Sequence, residues 1–196
     1  MNRRWSSELR LALAPADTYQ TLVEEQNSGN WLMVLVRAAF YMVLFSAAVA
    51  MAATGHVTLA LMFHVGLSWS ILVVWQAIAG AAIILPARGR RVRHARAFEL
   101  LFLAYVPWAL YGLAMTALAV VTEPDISALV VACTAVAPIA WTSVVVAAFC
   151  RTVLGVTAAG ARRLTLCHQL VIWGGTMAFL WFAVGGWTPI LQAVGL

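Results

Sequence analysis

The chain has 196 residues, of which 64% are hydrophobic and 10% charged, with a formal net charge of +5. An ordinary soluble domain carries about 25% charged residues, so this composition excludes disorder and offers too little polar surface for a water-soluble globule. It indicates a membrane protein.

All 12 basic residues are arginine, and four of the seven acidic ones (Glu8, Asp17, Glu24, Glu25) precede residue 31. An all-arginine basic set commonly accompanies a GC-rich genome and points to a bacterial source. The basic excess falls in particular loops, and no soluble basic domain exists that could bind nucleic acid. Cys133, Cys150 and Cys167 form no paired or zinc-type spacing and are expected to be unbridged.

Residues 1–30 are polar and are not a secretory signal. Ser6, Ser7 and Glu8 are suited to capping a short helix that contains Leu9, Leu11 and Leu13. Pro15 suits the first turn of a second helix, with Asp17 near its N-terminus and Tyr19, Leu22 and Val23 on its apolar side. Two placements stay open for this amphipathic segment: lying at the inner leaflet, or packed on the end of the bundle.

A helix needs about 20 apolar residues to cross a hydrocarbon core about 30 Å thick. Five runs approach or exceed that length: 31–53, 57–85, 100–121, 126–149 and 169–194. The expected fold is therefore an all-α bundle of five transmembrane spans over 31–196, preceded by the cytoplasmic or interfacial segment 1–30. The links Thr54-Gly55-His56 and Thr122-Glu123-Pro124-Asp125 are short and force antiparallel neighbours. The other two loops are basic, carrying Arg88, Arg90, Arg91, Arg93 and Arg96 in one and Arg151, Arg162 and Arg163 in the other. The positive-inside rule puts both in the cytoplasm, with the N-terminus inside and the C-terminus outside the bacterial inner membrane.

Candidate site residues are few. Arg37 is the one charge inside a span, roughly 9 Å from its start at 1.5 Å per residue. Its expected partner in a structural charge pair is Glu99, at a compatible depth; the alternatives are snorkelling and contact with lipid phosphate. Arg88, Arg90, Arg91, Arg93 and Arg96 form the strongest electrostatic feature, suited to anionic lipid or to a partner's acidic surface, or serving only to set topology. Pro107 and Pro138 are expected to kink the third and fourth spans. Ala48/Ala52, Ala77/Ala81 and Ala128/Ala132 are small-residue faces for close helix approach. Trp31 and Trp187 fit interfacial belts, whereas Trp75 and Trp181 sit deeper, as packing residues do.

Catalytic and cofactor patterns are missing from the sequence. The five runs contain no Asp or Glu, which disfavours proton relays and ion-coupled transport. There is no GxSxG element and no phosphate-binding glycine loop. His64 and His168 lie at different depths and make a poor pair of haem ligands. No cofactor, metal site or catalytic residue is expected.

The stretch Leu11-Ala12-Leu13-Ala14-Pro15-Ala16-Asp17-Thr18-Tyr19 resembles the opening of the Yip family, five-span membrane proteins named for interaction with Ypt/Rab GTPases. The segment from Arg96-Ala97-Phe98-Glu99-Leu100 to Tyr105-Val106-Pro107 is similar to that family's third span. Trp141 through Val153-Leu154-Gly155-Val156 and Ala161-Arg162-Arg163 is similar to the stretch leading into its last span. The resemblance covers most of the chain through degenerate motifs. It implies a non-enzymatic bundle acting through partners or lipids; a bacterial member has no Rab to bind, and the long acidic N-terminus of many eukaryotic members is missing.

These readings converge on a non-catalytic scaffold or accessory subunit that contacts the bilayer, anionic lipids and other membrane subunits. A small permease with a cavity near Pro107 and Pro138 is the main alternative, and a haem-bearing electron carrier a remote one.

Overall fold

The computed structural model describes residues 7–25, 29–122 and 133–183. Every regular element among them is helical. They are α1 (Ser7–Leu13), α2 (Pro15–Glu24), α3 (Trp31–Thr54), α4 (Leu59–Ile84), α5 (His94–Phe102), a 3-10 turn (Leu103–Tyr105), α6 (Val106–Thr122), α7 (Val136–Thr152) and α8 (Ala158–Ala183).

The first two long helices, α3 and α4, are punctuated by local chemistry. Asn30 caps α3, its side-chain oxygen accepting the Leu32 N–H at 3.0 Å. The helix ends at Gly55, in the left-handed region at φ 71°, whose N–H returns to Met51 O at 2.8 Å. Thr58 then caps α4 by accepting from Leu61 N–H. Within α4 the axis bends by 43° between Leu59–Ser68 and Ser70–Ile84. Ser68 Oγ donates to His64 O and Ser70 Oγ to Leu67 O, at 2.9 and 2.7 Å. Such back-bonding competes with the helical ladder and bends helices.

Two described helical stretches are long and apolar enough to cross a membrane, Trp31–Met51 and His94–Leu118; the bent α4 makes a third if its two halves form one span. The expected count of five is not reached. The helix in the expected fourth run, α7, has 17 residues from Val136, and residues 126–132 of that run lie outside the described residues. The expected fifth run leaves the described residues after Ala183, and Trp187, Ala128 and Ala132 also lie outside them. The third run begins earlier than expected, at His94 instead of residue 100.

That third run is divided by its surroundings. Every residue from Ala95 through Pro107 is buried, so this stretch is enclosed by protein. Leu100, Leu101 and Leu103 of the run join Ile83 and Ile84 of α4 and Val145, Val146, Phe149 and Leu154 from α7 and its end in one core at the arginine-rich end. Gly80 lets α4 close on α5: a Cβ there would stand 2.6 Å from Leu101 Cδ2. The 3-10 turn ends two residues before Pro107, which lacks the N–H that would have continued the ladder to Leu103. Val106 N–H bonds Leu103 O instead. Pro138 is the third residue of α7, just after a turn at Ala135 that interrupts the helical ladder between Thr134 and Val136.

The N-terminal segment belongs to this core. Leu11 and Tyr19 are fully buried and Leu22 nearly so. Tyr19 stands edge-on to Phe149, ring centroids 5.7 Å apart, and its hydroxyl donates to Leu100 O at 3.1 Å. Burial holds the Tyr19 phenol well above its ordinary pKa, so it remains a donor. Of the two placements that the sequence leaves open, the helices take the packed one. Tyr19→Phe keeps the ring and removes the bond to Leu100. An unfolding midpoint lowered by the equivalent of about 1 kcal/mol is expected, and an unchanged midpoint would show that the bond contributes nothing.

Away from the core the helices turn apolar side chains outward. On α4, Leu59, Phe63, Leu67, Ile71, Val74 and Ile78 are exposed at helical spacing. On α3 the exposed stripe is Leu32, Leu35, Val36, Phe40 and Val43. On α8 it includes Leu166, Leu170, Met177 and Trp181. These helices meet one another through small residues on their inner sides. Ala48 and Ala79 are buried, and Thr116 Oγ1 of α6 donates to Ala48 O of α3 at 3.4 Å. The indole of Trp75 in α4 occupies the place that a Cβ on Gly175 of α8 would take.

Candidate functional site

Two arginine-containing features stand at the end of the molecule that holds the core. The first is a charge cluster linking α1, α3 and α5. Arg96, 5% exposed, places Nη1 2.9 Å from Glu99 Oε1, and Glu99 is itself buried. Arg96 Nη2 also donates to Leu22 O at 3.3 Å, which ties α5 to α2. Arg37 lies between two carboxylates: its Nη2 is 3.8 Å from Glu99 Oε1 and 3.8 Å from Glu8 Oε1. The structure thus brings together the Arg37 and Glu99 named from the sequence, and adds Glu8 and Arg96. Position on a helix could have suggested Arg96, three residues before Glu99. Nothing in the sequence pointed to Glu8.

The second feature is the loop from Pro86 to Arg93. Its arginines do three different things. Arg90 turns back and caps α4, its Nη1 donating to Ile84 O and Ala87 O at 3.0 Å each. Arg96, in the following helix, is consumed by Glu99 and Leu22. Arg88, Arg91 and Arg93 are exposed and make no ion pair among the described residues. The set of five expected to face lipid or a partner is therefore reduced to three outward cations.

The loop is held in place by the second basic loop. Arg91 N–H donates to Val153 O at 3.0 Å. Gly155, at φ 66°, passes so close that a Cβ on it would lie 2.5 Å from Gly89 O. Gly29, at φ 64°, closes against the start of α5, where a Cβ would meet Arg96 N at 2.5 Å. Between these contacts lies an open basin of about 720 Å³, lined by Gly29, Trp31, Arg90, Arg91, Val92, Arg93, His94 and Ala95. Trp31 is exposed at its rim and its ring rests on Phe98, centroids 5.5 Å apart.

His168 is buried, with Tyr105 Oη 3.0 Å from its Nε2. His64 is exposed on α4. No group of three or more His, Cys, Asp or Glu side chains is placed to hold a metal among the described residues. All three cysteines are free thiols, Cys150 buried and the other two exposed. Pro107 and Pro138 are both buried. Comparison with known proteins finds no match to this chain among family models, curated proteins or solved structures.

Proposed function

We propose that the chain is a multi-pass, non-catalytic protein of a bacterial inner membrane that acts as a scaffold or accessory subunit through its helix faces. The observation that carries the membrane part of this reading is the exposed apolar stripe of α4, from Leu59 to Ile78. At 1.5 Å per residue its 19 steps follow about 28 Å of helix, somewhat less end to end across the 43° bend, close to the thickness of a hydrocarbon core. In water such a stripe would drive aggregation; in lipid it needs no cover. In this reading α3, α4 and the broken α5–α6 rod are three crossings. The apolar sequence runs 126–149 and 169–194 supply the other two of the five proposed crossings. The arginine-rich end faces the cytoplasm, following the positive-inside rule. The resemblance to the Yip family points to the same kind of role, through partners or lipids.

Three measurements test this in order. The chain should stay in the membrane pellet after alkaline carbonate extraction; release would end the membrane reading. A C-terminal alkaline phosphatase fusion should be active, and an inactive one would overturn the five-crossing orientation. Affinity purification in mild detergent should return stoichiometric membrane partners; a chain recovered alone would remove the scaffold role.

A further inference from the structure

We infer that the basin beside Trp31 is a binding site for the phosphate headgroup of an anionic phospholipid, with Arg91 and Arg93 as its charged ligands. The inference rests on the membrane reading above and adds to it a specific lipid class and location. Three observations converge on it. Arg91 and Arg93 line the basin, and no carboxylate among the described residues neutralises either. His94, exposed on the same wall, adds further hydrogen-bonding capacity, while Arg90 is already bonded to the end of α4. The basin also has a fixed shape. The Arg91 backbone is bonded to Val153, Gly29 is wedged on Arg96, and Trp31 is braced on Phe98.

The third observation selects a lipid over a soluble phosphate. Trp31, on the rim, is the first residue of α3, and the exposed stripe Leu32, Leu35, Val36, Phe40 and Val43 runs on directly from it. A phosphate in the basin would have its acyl chains laid along that stripe, with Trp31 at the boundary between headgroup and chain, where indole rings concentrate. Guanidinium groups bind phosphate oxygens in paired, charge-assisted hydrogen bonds. A soluble phosphate would gain only these, whereas a phospholipid also gains the apolar contact.

The test uses the full chain purified in a neutral detergent. Its melting temperature is followed while short-chain phosphatidylglycerol, short-chain phosphatidylcholine, glycerophosphoglycerol or inorganic phosphate is added. Phosphatidylglycerol should raise the midpoint saturably, and the other three should not. The variant R91Q/R93Q should bind phosphatidylglycerol about thirtyfold more weakly, at roughly fivefold per arginine near a membrane surface. The charge-matched control R162Q/R163Q, altered on exposed positions of α8, should retain wild-type affinity. Equal shifts with phosphatidylcholine, or no shift in the wild type, overturn the inference. Equal shifts with inorganic phosphate or glycerophosphoglycerol replace the lipid by a soluble anion and overturn it too. An equal loss in both variants would mean that bulk charge acts and not this site. A chain that resists carbonate extraction yet shows no phosphatidylglycerol effect loses this inference alone; a chain released by carbonate loses the membrane reading beneath it.

Discussion

Replacing Glu99 with leucine is expected to lower the stability of the purified protein by about 3–5 kcal/mol, the usual consequence of stranding a buried charge. Glu99 is the carboxylate nearest to Arg96, at 2.9 Å, and Arg96 is 5% exposed. Without it the guanidinium keeps one bond, to Leu22 O. Arg37 would lose one of its two carboxylates and keep Glu8. A melting curve in detergent reads the loss directly. The double variant R96M/E99L separates two explanations. If the single loss comes from an unpaired charge, the double variant recovers most of it, since a buried ion pair can be exchanged for apolar groups at little cost. If the double variant is as unstable as E99L, the pair contributes specific packing and the electrostatic account fails. Arg37→Gln should cost less than E99L, because Arg37 is partly exposed and its contacts are longer, at 3.8 Å.

The second large effect is expected at Gly175. The Trp75 indole fills the space of a Cβ there, so even alanine must displace a large ring from the α4–α8 contact. Overpacking of this kind costs about 1–3 kcal/mol and sometimes more, so Gly175→Ala should lower the midpoint clearly. The neighbouring Gly174 is the control. A Cβ there meets nothing within 4 Å, and Gly174→Ala should be neutral or slightly stabilising through helix propensity. Shortening Trp75 to leucine should relieve G175A, so that the double variant is more stable than the sum of the two single losses predicts. Simple additivity would show that the two residues do not meet.

Much of the helical framework was legible because its signals are local. The run 31–53 anticipated α3 (Trp31–Thr54), and 57–85 anticipated α4 (Leu59–Ile84), since each is a long apolar run and the link Thr54-Gly55-His56 divides them. The N-terminal pair of helices was legible from Pro15 and from the spacing of Tyr19 and Leu22. The environment of each helix was not. Apolar composition reads the same for a helix in lipid and for one inside protein, so residues 95–107 gave no sign that neighbours enclose them. The same limit hid the place of Tyr19, whose hydroxyl acceptor, Leu100, is 81 residues away.

At the candidate sites the sequence supplied the residue types but not their directions. Five arginines between residues 88 and 96 look equivalent as charges. Arg90 curls onto its own helix end and Arg96 turns inward to Glu99, because unpaired carbonyls at a helix end and a buried carboxylate lie within reach. Only the tertiary fold decides which arginines find such partners and which stay outward. Arg37 and Glu99 were matched by depth alone. Glu8 was invisible as a partner until α1 had a position.

The docking of Tyr19 also bears on the order of events during synthesis. Helices α1 and α2 leave the ribosome before the groups that receive them, Leu100, made much later, and Phe149, made later still. The apolar face of Leu11, Tyr19 and Leu22 must therefore wait, uncovered, while more than a hundred further residues are made. Assembly of the core cannot proceed in chain order and closes only after α7 exists. A nascent chain halted before Val136 would hold its first helices without their resting place, a natural substrate for chaperones or quality-control proteases.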